Sequence, residues 1–193
     1  MALKAVVFDV GETLIDETGM WERAADAAGV PRFTLMAILG GLAARGEHHS
    51  DAWRLLGVEH PASSWKAVDL YPDALPAIDS LRSCGLRVAA VGNTPAETEE
   101  LLREHLEVLG SSGRWGVAKP AARFFEHVVS ATGVAAREIA YVGDRVDNDV
   151  VPALEAGMVA VHIRRGPWGY LHEPPAQAIR ITRLAELPEA LDV

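Results

Sequence analysis

Four short apolar runs, at residues 5–8, 86–91, 139–142 and 159–163, are separated by longer stretches with helical spacing. Runs this short, rich in Val, Ile and Ala, suit strands buried on both faces. Strands that alternate with helices cannot close into hairpins. Each needs a crossover, and right-handed crossovers wind the chain into a parallel sheet with helices on both sides. The fold class expected is therefore α/β, with a doubly wound parallel sheet. In such sheets ligands bind just outside the carboxyl ends of the strands, so the residues that follow each run carry the chemical information.

The first run ends in Asp9-Val10-Gly11-Glu12-Thr13. A carboxylate at a strand end can act as nucleophile or metal ligand, or it can cap a following helix. Gly11 permits a sharp turn. The third run ends in Gly143-Asp144-Arg145-Val146-Asp147-Asn148-Asp149. Carboxylates gathered in one short loop repel one another unless a cation sits among them, and oxygen donors at an open site favour Mg2+. The plainer reading is a solvated acidic turn in which Asn148 or Asp149 caps a helix running on to Gly157. Lys119-Pro120 opens a helix over 121–132. A cation there opposes the helix dipole, which points to some other use for it. The second run ends in Gly92-Asn93-Thr94-Pro95, and Thr94 with Glu97 reads as a capping box opening a helix to about residue 106.

The intervening stretches divide the chain. Residues 16–70 read as helical throughout, with Trp21, Ala24, Ala25 and Ala28 at helical spacing and further helices over 33–44 and 50–56. The expected organisation is a core of residues 1–15 and 71–193 and a small all-helical cap of residues 16–70 over the crevice, where inserted lids commonly gate water and substrate. Trp21, Phe33, Leu35, Met36 and Trp53 in that block can pack internally or against another subunit, so monomer and homodimer both stay open. Its arginines, Arg23, Arg32, Arg45 and Arg54, read as solvated helix faces. Beyond it, a helix follows Tyr71-Pro72-Asp73, a short strand or loop falls at 114–117, and a Pro- and Gly-rich loop covers 164–177. Arg164, Arg165, Trp168 and Tyr170 in that loop suit either the crevice rim or oligomer contacts. A strand at 179–181 and a helix over 182–191 finish the chain.

A formal net charge of −9 argues against nucleic acid or an anionic membrane as the main partner. No apolar run approaches the length of a membrane span, and residues 1–4 lead into the first strand without a leader pattern, so a cytoplasmic location is expected. The single cysteine, Cys84, excludes an internal disulfide and reads as a buried structural thiol.

Taken in order, Asp9-x-Gly11-x-Thr13, the strand end at Gly92, Lys119-Pro120 and Gly143-Asp144 with Asp149 resemble the four motifs of the haloacid dehalogenase (HAD) superfamily. The resemblance runs from Val6 to about Gly157. It implies a Rossmann-type core with the helical cap between the first and second motifs. It implies that Asp9 is a nucleophile that becomes an aspartyl phosphate, that Mg2+ is held by Asp9, the Gly11 carbonyl and Asp144 with Asp149 in support, and that Lys119 stabilises charge on the transferring group. The substrate implied is a small phosphorylated metabolite, its phosphate held at Gly92, Asn93 and Thr94.

Two positions depart from the family's phosphatases. Gly11 stands where they carry a second Asp that protonates the leaving group, and Gly92 stands where they carry a Ser or Thr. Acid–base help is worth about 10²- to 10⁴-fold and one transition-state donor about 10²- to 10³-fold. Backbone N–H groups at Gly92 can still cradle an oxyanion. The losses predict weak hydrolysis or a proton donor from elsewhere, with Glu12, Glu47, His48, His49 and His60 as candidates. They also keep open a HAD-fold protein that binds a phosphorylated ligand or partner with little turnover. Two relatives in the superfamily also lack the second Asp. Dehalogenases have a less acidic fourth motif than Asp144 to Asp149, and phosphonoacetaldehyde hydrolases need a cap lysine, for which only Lys66 is available.

Overall fold

The computed structural model describes residues 2–193. Its first strand, β1 (Ala5–Phe8), is buried along its whole length. Val6 and Phe8 face one apolar cluster and Ala5 and Val7 the other, the alternation that a pleated strand imposes on a sheet covered on both sides. Five further strands join it: β2 (Arg87–Gly92), β3 (Val108–Ser111), β4 (Ile139–Gly143), β5 (Val159–Ile163) and β6 (Ile179–Ile181). All pair in parallel, in the order β3-β2-β1-β4-β5-β6. The chain reverses its winding between β1 and β4, and the crevice for a ligand opens at such a switch point.

Three helices follow β1 directly, α1 (Thr18–Ala27), α2 (Arg32–Ala44) and α3 (Asp51–Leu56). They share an apolar cluster of their own, with Trp21, Leu35, Leu39, Leu42 and Trp53 at its centre. Trp21, Leu35 and Trp53 therefore pack internally, whereas Phe33 is 85% exposed. Next come α4 (Ala74–Ser83), α5 (Ser112–Trp115), α6 (Ala122–Thr132), α7 (Val151–Glu155), α8 (Gly166–Leu171) and α9 (Leu187–Ala190). Residues of α4 and α9 complete the cluster around Phe8, and those of α6 and α7 the cluster around Val7. No helix among the described residues is long and apolar enough to cross a membrane.

Several local expectations need correction. The third strand in sequence is 108–111, not 114–117. The Trp115 ring lies directly over Gly110, so the apolar character near 115 serves packing onto the strand. Thr94 does not cap a helix to residue 106. A 3₁₀ helix over Ala96–Leu101 follows Pro95 with no side-chain cap, and within it buried Glu99 accepts from Ser111 Oγ at 2.6 Å and pairs with Arg114. The loop at 164–177 contains α8. Arg165 anchors it by donating to Thr13 O at 2.8 Å and pairing with Asp73, and Trp168 is buried beneath it. Arg23 is not a solvated charge, since it pairs with buried Asp69 at 2.6 Å. Cys84 is exposed: it lies past the buried face of α4, which ends at Leu81.

Candidate active site

Register places the two motif-bearing strands side by side. Phe8 stands opposite Val142, and Asp9 N–H donates to Val142 O at 2.8 Å. The residues leaving β1 and β4, Asp9 and Asp144, therefore meet at the switch point. Asp149 returns to them because Val146–Val150 forms a wide π-turn, with Asp149 Oδ2 accepting from Arg145 N at 3.1 Å. One carboxylate oxygen from each of Asp9, Asp144 and Asp149 lies within 4.8 Å of the others, and all three residues are buried.

Lys119 enters this cluster from across the sheet. Its Nζ donates to Asp9 Oδ1 and to Asp149 Oδ1, both at 2.5 Å. Asn93 fixes the lysine's backbone: Lys119 N donates to Asn93 Oδ1 at 2.7 Å, and Asn93 Nδ2 donates to Lys119 O at 2.9 Å. Burial works to lower the ammonium pKa, but the Asp149 and Asp9 charges outweigh it, and the net shift is well above the ordinary lysine value. One ammonium against three carboxylates leaves two negative charges uncompensated. Asp144 carries the consequence. It has no ion-pair partner among the described residues, and burial, then repulsion from Asp149 and Asp9, drives its carboxyl well above the usual range. Asp149 is pushed to about 6, chiefly by burial. An oxygen-only cluster with this charge deficit fits a divalent cation.

Gly11 is not the residue that makes the sharp turn, and its missing side chain leaves room for Glu17. The left-handed residue is its neighbour Glu12, at φ 49°. Gly11 has no positive φ, but a Cβ on it would overlap Glu17 Oε1 and stand 3.4 Å from the Trp65 ring. Glu12 is a brace. Its two oxygens accept from Glu17 N at 3.0 Å and from Tyr71 Oη at 2.7 Å. Glu17 accepts from Trp21 Nε1 at 3.1 Å through Oε2. Burial, then the Glu12 charge, raises its carboxyl to about 8.

The other donor candidates are engaged elsewhere. Glu47 pairs with Arg45 at 2.8 Å, His48 meets Ser50 Oγ at 2.7 Å, and His60 packs on Trp53. His49 packs between Trp21 and Trp168, and burial lowers its pKa to about 4. Lys66 is exposed. Asn93 and Thr94 line an open groove of about 450 Å³ together with Ser112, Gly113, Gly116 and Ala118. A Cβ on Gly92 would stand 3.1 Å from both Val10 Cγ2 and Thr94 Cγ2, so a larger residue there is crowded.

Sequence reasoning passed over Glu17 and Arg145. Arg145 pairs with Asp147 at 2.6 Å and lies 4.9 Å over the Trp168 ring, beside the cluster. The signal for Glu17 was slight: an acid six residues after Gly11, one helical turn before Trp21.

Gly143 gives a first prediction. A Cβ on it would lie 2.5 Å from Asp149 Cβ. Gly143→Ala should push Asp149 off Lys119 and cost about 10²-fold in turnover, the effect of a displacement near 1 Å at a reacting centre. Steady-state kinetics against wild type, with melting curves to check folding, measure it.

A family model described as haloacid dehalogenase-like hydrolase matches residues 3–157. A glyceraldehyde 3-phosphate phosphatase of Methanocaldococcus jannaschii is 32% identical over 123 residues, 61% of this chain and 54% of the relative. A phosphoserine phosphatase of Thermus thermophilus is 37% identical over 103 residues, 50% of this chain and 41% of the relative. The chain thus spans about half the length of these curated relatives or less. Among solved structures, the magnesium-bound HAD-hydrolase YfnB of Bacillus subtilis superposes with a TM-score of 0.75 at 17% identity, covering 100% of both chains. At that identity the likeness concerns the fold.

Proposed function

The chain belongs to the haloacid dehalogenase-like hydrolases, and we propose that it is a Mg2+-dependent phosphomonoesterase of small phosphorylated metabolites that works through an aspartyl phosphate on Asp9. The observation that carries this reading is the Asp9 carboxylate at the β1/β4 switch point, bonded at 2.5 Å to Lys119 and gathered with Asp144 and Asp149.

Each residue has a role. Lys119 occupies Asp9 Oδ1, which leaves Oδ2 to attack phosphorus as the bond to the ester oxygen breaks. Lys119 also places positive charge where the phosphoryl oxygens gather it. Asn93 positions Lys119 through both backbone groups, so its part in phosphate binding is indirect. Backbone N–H groups at Gly92 to Thr94 are the donors we assign to the phosphate oxygens, since a glycine-rich turn can cradle an oxyanion. Asp9, Asp144 and the Gly11 carbonyl hold the cation with Asp149 in support; when bound, Mg2+ screens the carboxylates from the anionic substrate. The helices over 16–70 act as a cap of the core formed by 1–15 and 71–193, closing the crevice against water.

The charge deficit at Asp144 and Asp149 favours phosphoryl transfer over dehalogenation, since attack of Asp9 on a haloacid carbon has no use for an acidic cluster. Gly11 and the crowded Gly92 support the second reading, a HAD-fold protein that binds a phosphorylated ligand with little turnover.

The test is hydrolysis of p-nitrophenyl phosphate with Mg2+ and after chelation, followed by a panel that includes glyceraldehyde 3-phosphate and phosphoserine. Chelation should lower turnover at least about 10²-fold, consistent with several kcal/mol of charge stabilisation. Equal rates with and without Mg2+, or halide release from 2-chloropropionate, would overturn the proposal. Tight phosphate binding without turnover would favour the second reading.

A further inference from the structure

Hydrolysis of an unactivated phosphate ester needs a proton for the departing alkoxide, and Gly11 cannot give one. The space a side chain at position 11 would enter is already filled. Glu17 Oε1 would overlap a Cβ on Gly11, and Glu17 Cδ would lie 3.2 Å from it. The carboxyl group is not there by chance of a free rotamer. Trp21 Nε1 holds Oε2 at 3.1 Å, and Glu17 N is tied to Glu12 Oε1 at 3.0 Å. That leaves Oε1 as the oxygen turned to Gly11, two residues from Asp9 along the chain. The charged groups facing Glu17 are Glu12, Asp9 and Arg145.

We infer that Glu17 is the general acid and base of this site, its carboxyl reaching in from the start of α1 to stand in for a side chain absent at Gly11. The inference rests on the phosphomonoesterase reading. In the first step Asp9 Oδ2 bonds to phosphorus, the bond from phosphorus to the ester oxygen breaks, and the Glu17 proton passes to that oxygen, releasing the alcohol. In the second, Glu17 carboxylate takes a proton from water as the water oxygen bonds to phosphorus and the bond from phosphorus to Asp9 Oδ2 breaks, releasing phosphate and restoring the Asp9 carboxylate. Glu17 is the residue just before α1, so its carboxyl comes from the entrance of the helical block, while Asp9 follows β1.

The test compares wild type with Glu17→Gln on p-nitrophenyl phosphate and phenyl phosphate, with Mg2+ present. Gln keeps the acceptor for Trp21, and melting curves check the fold. p-Nitrophenolate leaves without a proton, so its release in the first turnover should fall less than about 10-fold, while phenyl phosphate turnover falls about 10²- to 10⁴-fold. Slow dephosphorylation should then appear as a burst of one p-nitrophenolate per active site. Gly11→Asp/Glu17→Ala, which moves the carboxyl to position 11 and vacates the space it needs, should recover phenyl phosphate turnover at least about 10-fold over Glu17→Gln. Equal losses on both esters, or no loss on either, overturn the assignment of Glu17 while leaving the enzyme reading intact. If wild type shows no Asp9-dependent turnover of either ester, both fall together.

Discussion

Asp9→Asn is expected to remove turnover of p-nitrophenyl phosphate by at least about 10⁴-fold, because the amide oxygen cannot carry the covalent intermediate. The fold should survive the change. Asn keeps an acceptor for Lys119 Nζ, Lys119 retains Asp149 at 2.5 Å, and the backbone bond from residue 9 to Val142 O needs no side chain. Melting temperature close to wild type together with lost activity is the expected pair of results. Activity within 10-fold of wild type would remove Asp9 as nucleophile and with it the aspartyl phosphate. The substrate choice matters here. p-Nitrophenolate is a good leaving group, so the measurement isolates the nucleophile from any question of proton supply.

Lys119→Met should harm both catalysis and stability, which separates it from the Asp9 variant. Lys119 is the one cation bonded to Asp9 and Asp149 among the described residues. Removing one partner of a buried charge pair typically costs about 3–5 kcal/mol, since the remaining charges are left uncompensated. For a chain of this size that corresponds to a fall in melting temperature of roughly 6–20 °C. Turnover should drop about 10²- to 10³-fold, the loss expected for one charge-stabilising group. Mg2+ should raise the melting temperature of the variant more than that of wild type, because a cation relieves carboxylates that have lost their lysine. A variant with wild-type stability in chelator would mean that the three carboxylates do not depend on Lys119 for their charge balance. Met preserves the length and apolar body of the side chain against Phe124 and Tyr141, whose rings lie 6.0 Å and 5.8 Å from Nζ, so packing changes little.

Much of this protein was legible in one dimension. Apolar runs at 5–8, 86–91, 139–142 and 159–163 became β1, β2, β4 and β5 within a residue or so, because burial on both faces of a parallel sheet leaves a continuous apolar signature. Asp9 and Asp144 were readable as neighbours because each follows such a run and the topology of alternating strands and helices brings strand ends to one crevice. β3 escaped that logic. Its Val108-Leu109-Gly110-Ser111 is brief, holds a glycine, and takes its strand character from lying beside β2. The same holds for Glu99, whose burial depends on partners at Ser111 and Arg114 that its own segment does not contain.

The sequence by itself determined every strand of the sheet but β3, the helical insertion after β1 and the residues that converge on the crevice, since periodicity and strand-end chemistry are local properties. Only the tertiary structure decided how those residues meet. Lys119 reaches Asp9 across 110 positions of chain, Asn93 grips Lys119 across 26, and Tyr71 braces Glu12 across 59. Glu17 shows the difference most plainly. In sequence it is an acid at the mouth of a helix, where dipole and solvent would account for it. In three dimensions the missing side chain of Gly11 opens a space, Trp21 directs a carboxyl oxygen into it, and burial beside Glu12 and Asp9 favours its proton. Those are properties of distance and dielectric between elements, which no spacing along the chain encodes.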